Sequence, residues 1–187
     1  MLPAHKISES MHKKIFFSFV LMIASTQITI ATTINDLPFH NIQKDSSRIA
    51  ELDRYWERLN NAVMEGDLEG FKSCFHEDAV IVFASGKNKT TVPISKALEF
   101  WKESFKNTKE GKTKVKIEFR FSQRIVNKST AHETGIFINT FTNNRSNESN
   151  RSIIPFEMLL IKRDNKWYAL MEYQKPYVTQ KEWDALK

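Results

Sequence analysis

The sequence has few of the residues and motifs that disulfide-rich, collagen-like and metal-binding proteins require. Its 187 residues include one cysteine, Cys74, so no intramolecular disulfide can form. Glycine occurs only five times, which excludes a collagen-like or glycine-rich low-complexity chain. The five histidines show no H-x-x-x-H spacing, and no phosphate-binding loop, G-x-S-x-G or dinucleotide motif occurs. The sequence therefore predicts neither a metal site nor a bound cofactor.

The N-terminal region has the pattern of a signal peptide. Basic residues 13–14 precede an apolar stretch of residues 15–24, and Thr29-Ile30-Ala31 has the small-x-small form of a cleavage site. The apolar stretch is too short to span a bilayer. We therefore predict that residues 1–31 are a signal peptide and that the mature chain is periplasmic or secreted, without a stable membrane span. Residues 32–47 are polar and are predicted to be a linker.

Charge does not indicate a nucleic-acid partner. The formal net charge is +6, but the predicted signal peptide holds three of the lysines and only one acidic residue. The remaining cations are spread along the chain, apart from a moderately basic run over residues 109–116. A nucleic-acid interface would need a denser patch with interleaved aromatic residues. We predict no nucleic-acid binding.

Residues 48–187 are predicted to form a single domain that begins with three helices. Apolar residues at helical spacing predict a first helix over about residues 47–65 and a second after Gly66-Asp67. Residues 76–78, His-Glu-Asp, are predicted to form an acidic turn before a strand over residues 79–83. A short strand over residues 89–92 and a third helix opened by Pro93 follow.

After Gly111 the apolar residues recur with a period of two, which predicts four long antiparallel strands. The order of elements predicts an α+β fold in which three N-terminal helices pack on a curved, mainly antiparallel sheet. Such a cone-shaped α+β barrel tends to keep a conical cavity at its open end.

The chain resembles the nuclear transport factor 2-like superfamily, which includes ketosteroid isomerases and polyketide cyclases. The resemblance spans Arg48 to Tyr173 and rests on three features. They are the G-D-x-x-x-F-x-x-x-F-x-x-D-A segment of residues 66–79, the proline-opened third helix and the R-D-N-K-W turn of residues 163–167. Members act as enzymes, ligand-binding modules or dimerisation domains, so the resemblance implies the fold and leaves the function open.

Most of the catalytic residues of ketosteroid isomerases have no counterpart in this chain. The resemblance puts the general base at Phe83 and the oxyanion-hole tyrosine near Leu59, one turn after Tyr55. The assisting acid falls at Glu157, which keeps a carboxyl group. Without a base at Phe83, proton transfer by the isomerase mechanism has no evident agent. Steroid isomerase activity is therefore not expected.

Glu157 is the strongest candidate for a catalytic residue, with Tyr173 as its companion. Glu157 lies within a strand that is apolar on both faces, where burial would raise the pKa of its carboxyl. It is predicted either to face the cavity as a proton donor or to be a buried acid paired with Arg120, a backbone N–H or water. The residues predicted to line the pocket are Tyr55, Trp56, Phe83, Trp101, Phe119, Glu157, Leu159 and Tyr173.

These observations favour an exported domain that holds a small hydrophobic molecule in a conical pocket. Two alternatives stay open: a lyase or isomerase of the polyketide cyclase/dehydratase type that uses a buried glutamate, and a non-catalytic dimerisation module. On the Glu157 strand, the second apolar set, residues 154, 156, 158 and 160, is predicted to face outward and to form a homodimer through the sheet.

Overall fold

The computed structural model describes residues 39–85 and 89–186. Four helices and six strands occur within these ranges. The helices are α1 (Phe39–Glu65), α2 (Leu68–Lys72), α3 (Ile94–Lys109) and α4 (Gln180–Ala185). The strands are β1 (Phe75–Phe83), β2 (Thr90–Pro93), β3 (Thr113–Val126), β4 (Thr130–Asn143), β5 (Ser149–Arg163) and β6 (Lys166–Gln174). Over the described residues, no helix combines the length and the apolar character that a membrane span requires.

Helix α1 begins earlier than its sequence pattern predicts. The apolar pattern predicts a start at about residue 47, but the helix already begins at Phe39. Part of the predicted linker, residues 32–47, is therefore helical. The predicted signal peptide, residues 1–31, lies outside the described residues, so its cleavage stays a prediction.

The segment after α1 connects two helices and then enters the sheet. Gly66 has a φ of +69°, and a Cβ atom there would lie 2.5 Å from the backbone of α3, so glycine is required for both reasons. The Asp67 side chain accepts a hydrogen bond from the N–H of Gly70 and caps α2. The predicted acidic turn at residues 76–78 is wrong, because β1 already begins at Phe75, which pairs with Ala169.

The six strands form one sheet in the order β2-β1-β6-β5-β4-β3. Strand β1 runs parallel to β6, and all other neighbouring pairs are antiparallel. Asp164 and Asn165 both have positive φ, as the tight hairpin between β5 and β6 requires. The sheet is curved and unclosed, and the predicted cone-shaped α+β fold is confirmed.

The main core lies between α1, α2 and α3 and one face of the sheet, which we call the inner face. It includes Leu52 and Leu59 of α1, Ala97 of α3, and Phe156 and Leu160 of β5, all buried. The prediction that residues 154, 156, 158 and 160 face outward is wrong, because all four are buried on the inner face. Side chains alternate between the two faces of a strand, so the sequence shows which residues of β5 share a face. Because β5 is apolar on both faces, the sequence does not show which of them the helices cover.

The opposite, outer face of the sheet is partly covered by the C-terminal segment, which the sequence pattern did not predict. A capping box of Thr179 and Glu182 starts α4, and Trp183 packs against Ile136, Ile138 and Ile153. The Arg120 guanidinium lies 4.3 Å from the centre of the Trp183 ring. It also donates hydrogen bonds to the carbonyl groups of Trp183 and Leu186. A second, smaller core therefore lies on this face.

Candidate functional site: a cavity under the helices

A cavity of about 340 Å³ lies between the helices and the inner face of the sheet. Its walls come from α1, α2, α3 and strands β3 to β6. The volume exceeds the ~300 Å³ below which a pocket is too small for most ligands. The lining residues are Trp56, Leu59, Val63, Phe71, Trp101, Ser104, Phe105, Thr108, Val115, Ile117, Phe119, Phe137, Asn139, Phe141, Ile154, Phe156, Met158, Glu172 and Gln174.

Most of the wall is apolar and much of it is aromatic. The Trp56 ring lies 4.8 Å from the Phe119 ring and 5.3 Å from the Phe156 ring, centre to centre. On the other side of the cavity, Trp101 meets Phe71 edge to face at 5.5 Å. Such ring contacts favour flat apolar ligands, which can pack against aromatic faces and edges.

Glu172 is the one acidic residue of the cavity wall. It is 8% exposed, and the Gln174 amide donates a hydrogen bond of 2.8 Å to its carboxylate. Burial raises the pKa of the Glu172 carboxyl above its ordinary value, and the Gln174 hydrogen bond opposes this shift only in part. Within residues 39–85 and 89–186, no lysine or arginine lines the cavity beside it. A carboxyl in this position can donate or accept a proton or hydrogen bond towards a molecule in the cavity.

Asn139 adds a second polar group, farther along the sheet. Its side-chain oxygen is buried and has no hydrogen-bond partner within the described part of the chain. Ser104 and Thr108 face the same cavity from α3, where the Thr108 hydroxyl donates to the Ser104 carbonyl. A buried amide oxygen without a partner carries a desolvation cost, which a ligand donor would remove.

A buried network holds the Trp56 ring in the cavity wall. Glu133 is fully buried, and its carboxylate accepts hydrogen bonds from the Trp56 indole at 2.6 Å and from the Arg124 guanidinium. Arg124 also pairs with Asp53 on α1 at 2.6 Å. The network joins α1 to β3 and β4 and fixes the orientation of Trp56. Glu133 does not line the cavity.

Three of the eight residues predicted to line the pocket do so in the structure: Trp56, Trp101 and Phe119. Tyr55 lies in the core behind the cavity wall, where its hydroxyl donates to the Met158 sulfur at 3.6 Å. Phe83 packs edge to face against Trp101 at 5.8 Å and is not part of the wall.

The other three, Glu157, Leu159 and Tyr173, lie on the outer face of the sheet. Glu157 forms an ion pair with Lys175, and the two side chains are 31% and 34% exposed. Tyr173 pairs with Glu157 across the strands and lies 5.8 Å from the Lys175 amino group. The expectation that Glu157 and Tyr173 face the cavity is therefore corrected. Their predicted catalytic roles would require a site on the opposite face.

A register shift explains the misplacement of Tyr173. Leu159 pairs with Met171 but Leu160 pairs with Ala169, so β6 has an extra residue, Leu170, at this point. A bulge of one residue moves every later side chain to the other face. Consequently Trp167 and Ala169 share the inner face with Glu172 and Gln174, and not with Tyr173.

The polar wall residues that sequence reasoning missed are Glu172, Gln174, Asn139, Ser104 and Thr108. Simple alternation from Trp167 assigns Glu172 to the outer face, and no sequence signal marks the bulge at Leu170. A sequence signal did exist for Asn139: it alternates with Phe137 and Phe141 along β4, and both phenylalanines line the cavity.

The arrangement offers proton and hydrogen-bond chemistry. Among the residues that the structure describes, no group of three or more histidine, cysteine, aspartate or glutamate side chains could hold a metal ion. The chemical capacity of the cavity therefore rests on Glu172, Gln174 and Asn139 within an aromatic wall.

Comparison with solved structures identifies the fold. A protein from Shewanella oneidensis MR-1 described as NTF-2 like and of unknown function matches with a TM-score of 0.53 at 13% identity, over 68% of this chain and 98% of that one. The chain has the nuclear transport factor 2-like fold. This fold also relates it to the association domain of C. elegans CaMKII, with a TM-score of 0.55 at 12% identity over 71% of this chain and 98% of that domain.

A conserved protein from Planctomyces limnophilus matches with a TM-score of 0.60 at 10% identity, over 71% of this chain and 98% of that one. No protein-family model matches the chain, and no curated protein matches its sequence. At these identities the likeness shows the nuclear transport factor 2-like fold alone.

Proposed function

We propose that the domain binds one small, mainly apolar molecule in the cavity under the helices. The observation that carries this proposal is the aromatic wall around about 340 Å³ of space, with a few polar groups at defined positions. Ligand pockets have this composition: apolar walls supply the affinity, and a small number of polar groups fix the orientation.

Glu172 and Gln174 would orient the ligand. Because burial raises the pKa of Glu172 and no cation faces it in the cavity, its neutral form is favoured relative to an exposed glutamate. A ligand with a hydroxyl or carbonyl group suits this site, since the carboxyl and the neighbouring amide offer both donors and acceptors. An anionic ligand group would meet a carboxyl without a compensating cation.

Binding of the neutral fluorophore N-phenyl-1-naphthylamine tests the proposal. We expect a saturable rise in fluorescence with the wild-type protein, because the probe enters an apolar site. Ile117→Trp adds bulk to a residue of the cavity wall and should weaken binding about tenfold or more. Ile125→Trp makes the same change on the same strand at a residue that is 54% exposed.

This second variant should bind the probe as the wild type does. Circular dichroism establishes that both variants are folded. Absence of saturable binding to the wild type, or an equal effect of the two variants, would contradict the proposal.

The buried carboxyl supports a second candidate function, a lyase or isomerase. In this case Glu172, and not Glu157, would transfer a proton to or from a bound substrate. Glu172→Gln separates the two functions, because it preserves the shape of the wall but cannot transfer a proton. Glu172→Gln should leave probe binding intact whichever function is correct. If the domain is a lyase or isomerase, the substitution should also abolish turnover.

We further propose that the domain forms a homodimer through the outer face of the sheet. Val80 is 38% exposed there, and Leu159, Met171 and Tyr173 are only half-buried. Residues 154, 156, 158 and 160 are buried on the inner face and cannot form this interface, but the outer face still presents apolar side chains beside α4. The fold also occurs in an association domain.

Leu159→Asp should shift sedimentation from dimer to monomer, while Ile125→Asp, at an exposed residue of β3, should not. A monomeric wild type would contradict the proposal of a dimer.

Export also stays a proposal, supported by the basic, apolar and small-residue pattern of residues 11–31. N-terminal sequencing of protein from the native host should find a chain that starts at Thr32. A chain that keeps residues 15–24 would contradict cleavage at this site.

A further inference from the structure

A second, polar cavity adjoins the first and is open to solvent along residues 143–150, which are exposed. Its volume is about 540 Å³, and it shares Ser104 and Phe141 with the apolar cavity. Its other lining residues come from the end of α3, the start of β3 and the β4–β5 connection: Asn107, Thr113, Asn143, Glu148, Ser149 and Asn150. Because the two cavities share Ser104 and Phe141 as wall residues, they lie side by side, close enough for one molecule to contact both.

Strand register places the Glu172 carboxyl and the polar cavity at opposite ends of the combined space. Glu172 pairs with Met158 near the middle of β5, whereas Phe141 pairs with Asn150 near the start of the same strand. A molecule in both cavities would therefore have an apolar body between two polar regions. The deeper polar region is the Glu172 carboxyl, and the outer one is the polar cavity.

The outer polar cavity favours a neutral group with many hydroxyls. Its wall carries three amide side chains and three hydroxyl side chains, and no lysine or arginine. An anionic head group would find Glu148 and no cation among these lining residues. Each amide offers both a donor and an acceptor, which matches neighbouring hydroxyl groups of a sugar or polyol.

The amides are not all used by the protein itself. The Asn143 side-chain oxygen accepts hydrogen bonds from the backbone of Arg145 and Ser146, and so shapes the loop. The side chains of Asn107 and Asn150, by contrast, form no hydrogen bond with the described part of the chain. Asn144 ties the loop to the carbonyl of Gly111, so the wall is held in place.

We propose that the ligand is an amphiphile with a ring-containing apolar body in the first cavity and a neutral polyhydroxyl head group, such as a sugar, in the polar cavity. This inference rests on the proposed function, because the head group is recognised only when the body occupies the apolar cavity. It adds the chemical class of the ligand and names Asn107 and Asn150 as specificity-determining residues.

Three naphthyl compounds that differ only in their head group test the inference by isothermal titration calorimetry. They are 2-naphthol, 2-naphthyl β-D-glucoside and 2-naphthyl sulfate. We expect the glucoside to bind about tenfold more tightly than 2-naphthol, and the sulfate to bind no more tightly than 2-naphthol. The double variant Asn107→Ala/Asn150→Ala should lose most of the glucoside's advantage and bind 2-naphthol normally. Gln123→Ala, an exposed amide on β3, is the matched control and should keep that advantage.

The outcomes separate the two proposals. If 2-naphthol binds but the glucoside binds no more tightly, or if the sulfate binds most tightly, this inference is overturned and the proposed function stands. If the glucoside's advantage survives in the double variant, the assignment to the polar cavity is overturned. If none of the three compounds and no N-phenyl-1-naphthylamine binds, the proposed function fails, and this inference fails with it.

Discussion

Two buried glutamates lie in the same row of the sheet and have different surroundings. Glu133 on β4 and Glu172 on β6 both pair with Met158 of β5, which puts them two strands, or about 10 Å, apart. Glu133 accepts hydrogen bonds from Arg124 and Trp56 and lies outside the cavity wall. Glu172 faces the cavity, with the Gln174 amide as its hydrogen-bond partner.

The difference shows how to separate a structural carboxylate from a functional one in this fold. Glu133 has a cation and an indole donor, so its buried charge is compensated and it holds α1 against the sheet. Among the described residues, no cation pairs with Glu172, and burial raises the pKa of its carboxyl. The first glutamate contributes to the stability of the fold, and the second keeps chemical capacity for a bound molecule.

The largest expected loss of stability comes from removing Arg124, the cation that compensates the charge of Glu133. Arg124→Ala leaves the fully buried Glu133 carboxylate without its cation, so the free energy of unfolding should fall by about 3 kcal/mol in urea denaturation. Arg151→Ala, which removes an exposed arginine of β5, is the matched control and should leave stability unchanged. A loss in Arg124→Ala no larger than in this control would show that Glu133 does not depend on Arg124.

The double variant Arg124→Met/Glu133→Leu tests whether the loss of stability comes from the uncompensated charge of Glu133. It removes both charges together, so it should be more stable than Arg124→Ala, because no charge is left buried without a partner. Trp56 would still lose its acceptor, so full recovery is not expected. A double variant less stable than Arg124→Ala would indicate that the pair stabilises the fold beyond mutual compensation.

A smaller, pH-dependent effect is expected at Glu172. Its pKa is raised above the ordinary 4.5 in the folded state, so the folded protein holds a proton that the unfolded chain releases. This contribution to stability is fully present below about pH 4.5 and is lost as pH rises through the folded pKa. Glu172→Gln cannot ionise, so its Tm relative to wild type should rise by a few degrees between about pH 4 and pH 8.

Glu77→Gln, at an exposed residue of β1, controls for the loss of a charge from the protein as a whole. A Tm difference for Glu172→Gln that stays constant with pH, or falls as pH rises, would contradict the raised pKa.

The sequence predicted the fold and part of the aromatic wall of the cavity for a physical reason. Trp56 and Trp101 lie on apolar stripes of long helices, and Phe119 lies on a strand with clean alternation, so their directions follow from periodicity. All three line the cavity. Such residues are predictable because they recur with the period of their helix or strand and the apolar face that they share is the buried one.

The directions of Glu157, Glu172 and Tyr173 could not be predicted in this way. Strand β5 is apolar on both faces, partly because Trp183 of the unpredicted α4 covers Ile153 on the outer face. The extra residue Leu170 in β6 then exchanges the directions expected for Glu172 and Tyr173. Both effects depend on contacts between distant parts of the chain, which local patterns do not contain.

The central claim is that the cavity under the helices holds a small molecule, and native mass spectrometry tests it most directly. Wild-type protein purified from its own host should carry a small adduct that is released on denaturation. The adduct should persist in Ile125→Trp and be absent from Ile117→Trp, because only the latter fills the cavity. A wild-type spectrum with no adduct, or an adduct that Ile117→Trp retains in full, would contradict the claim.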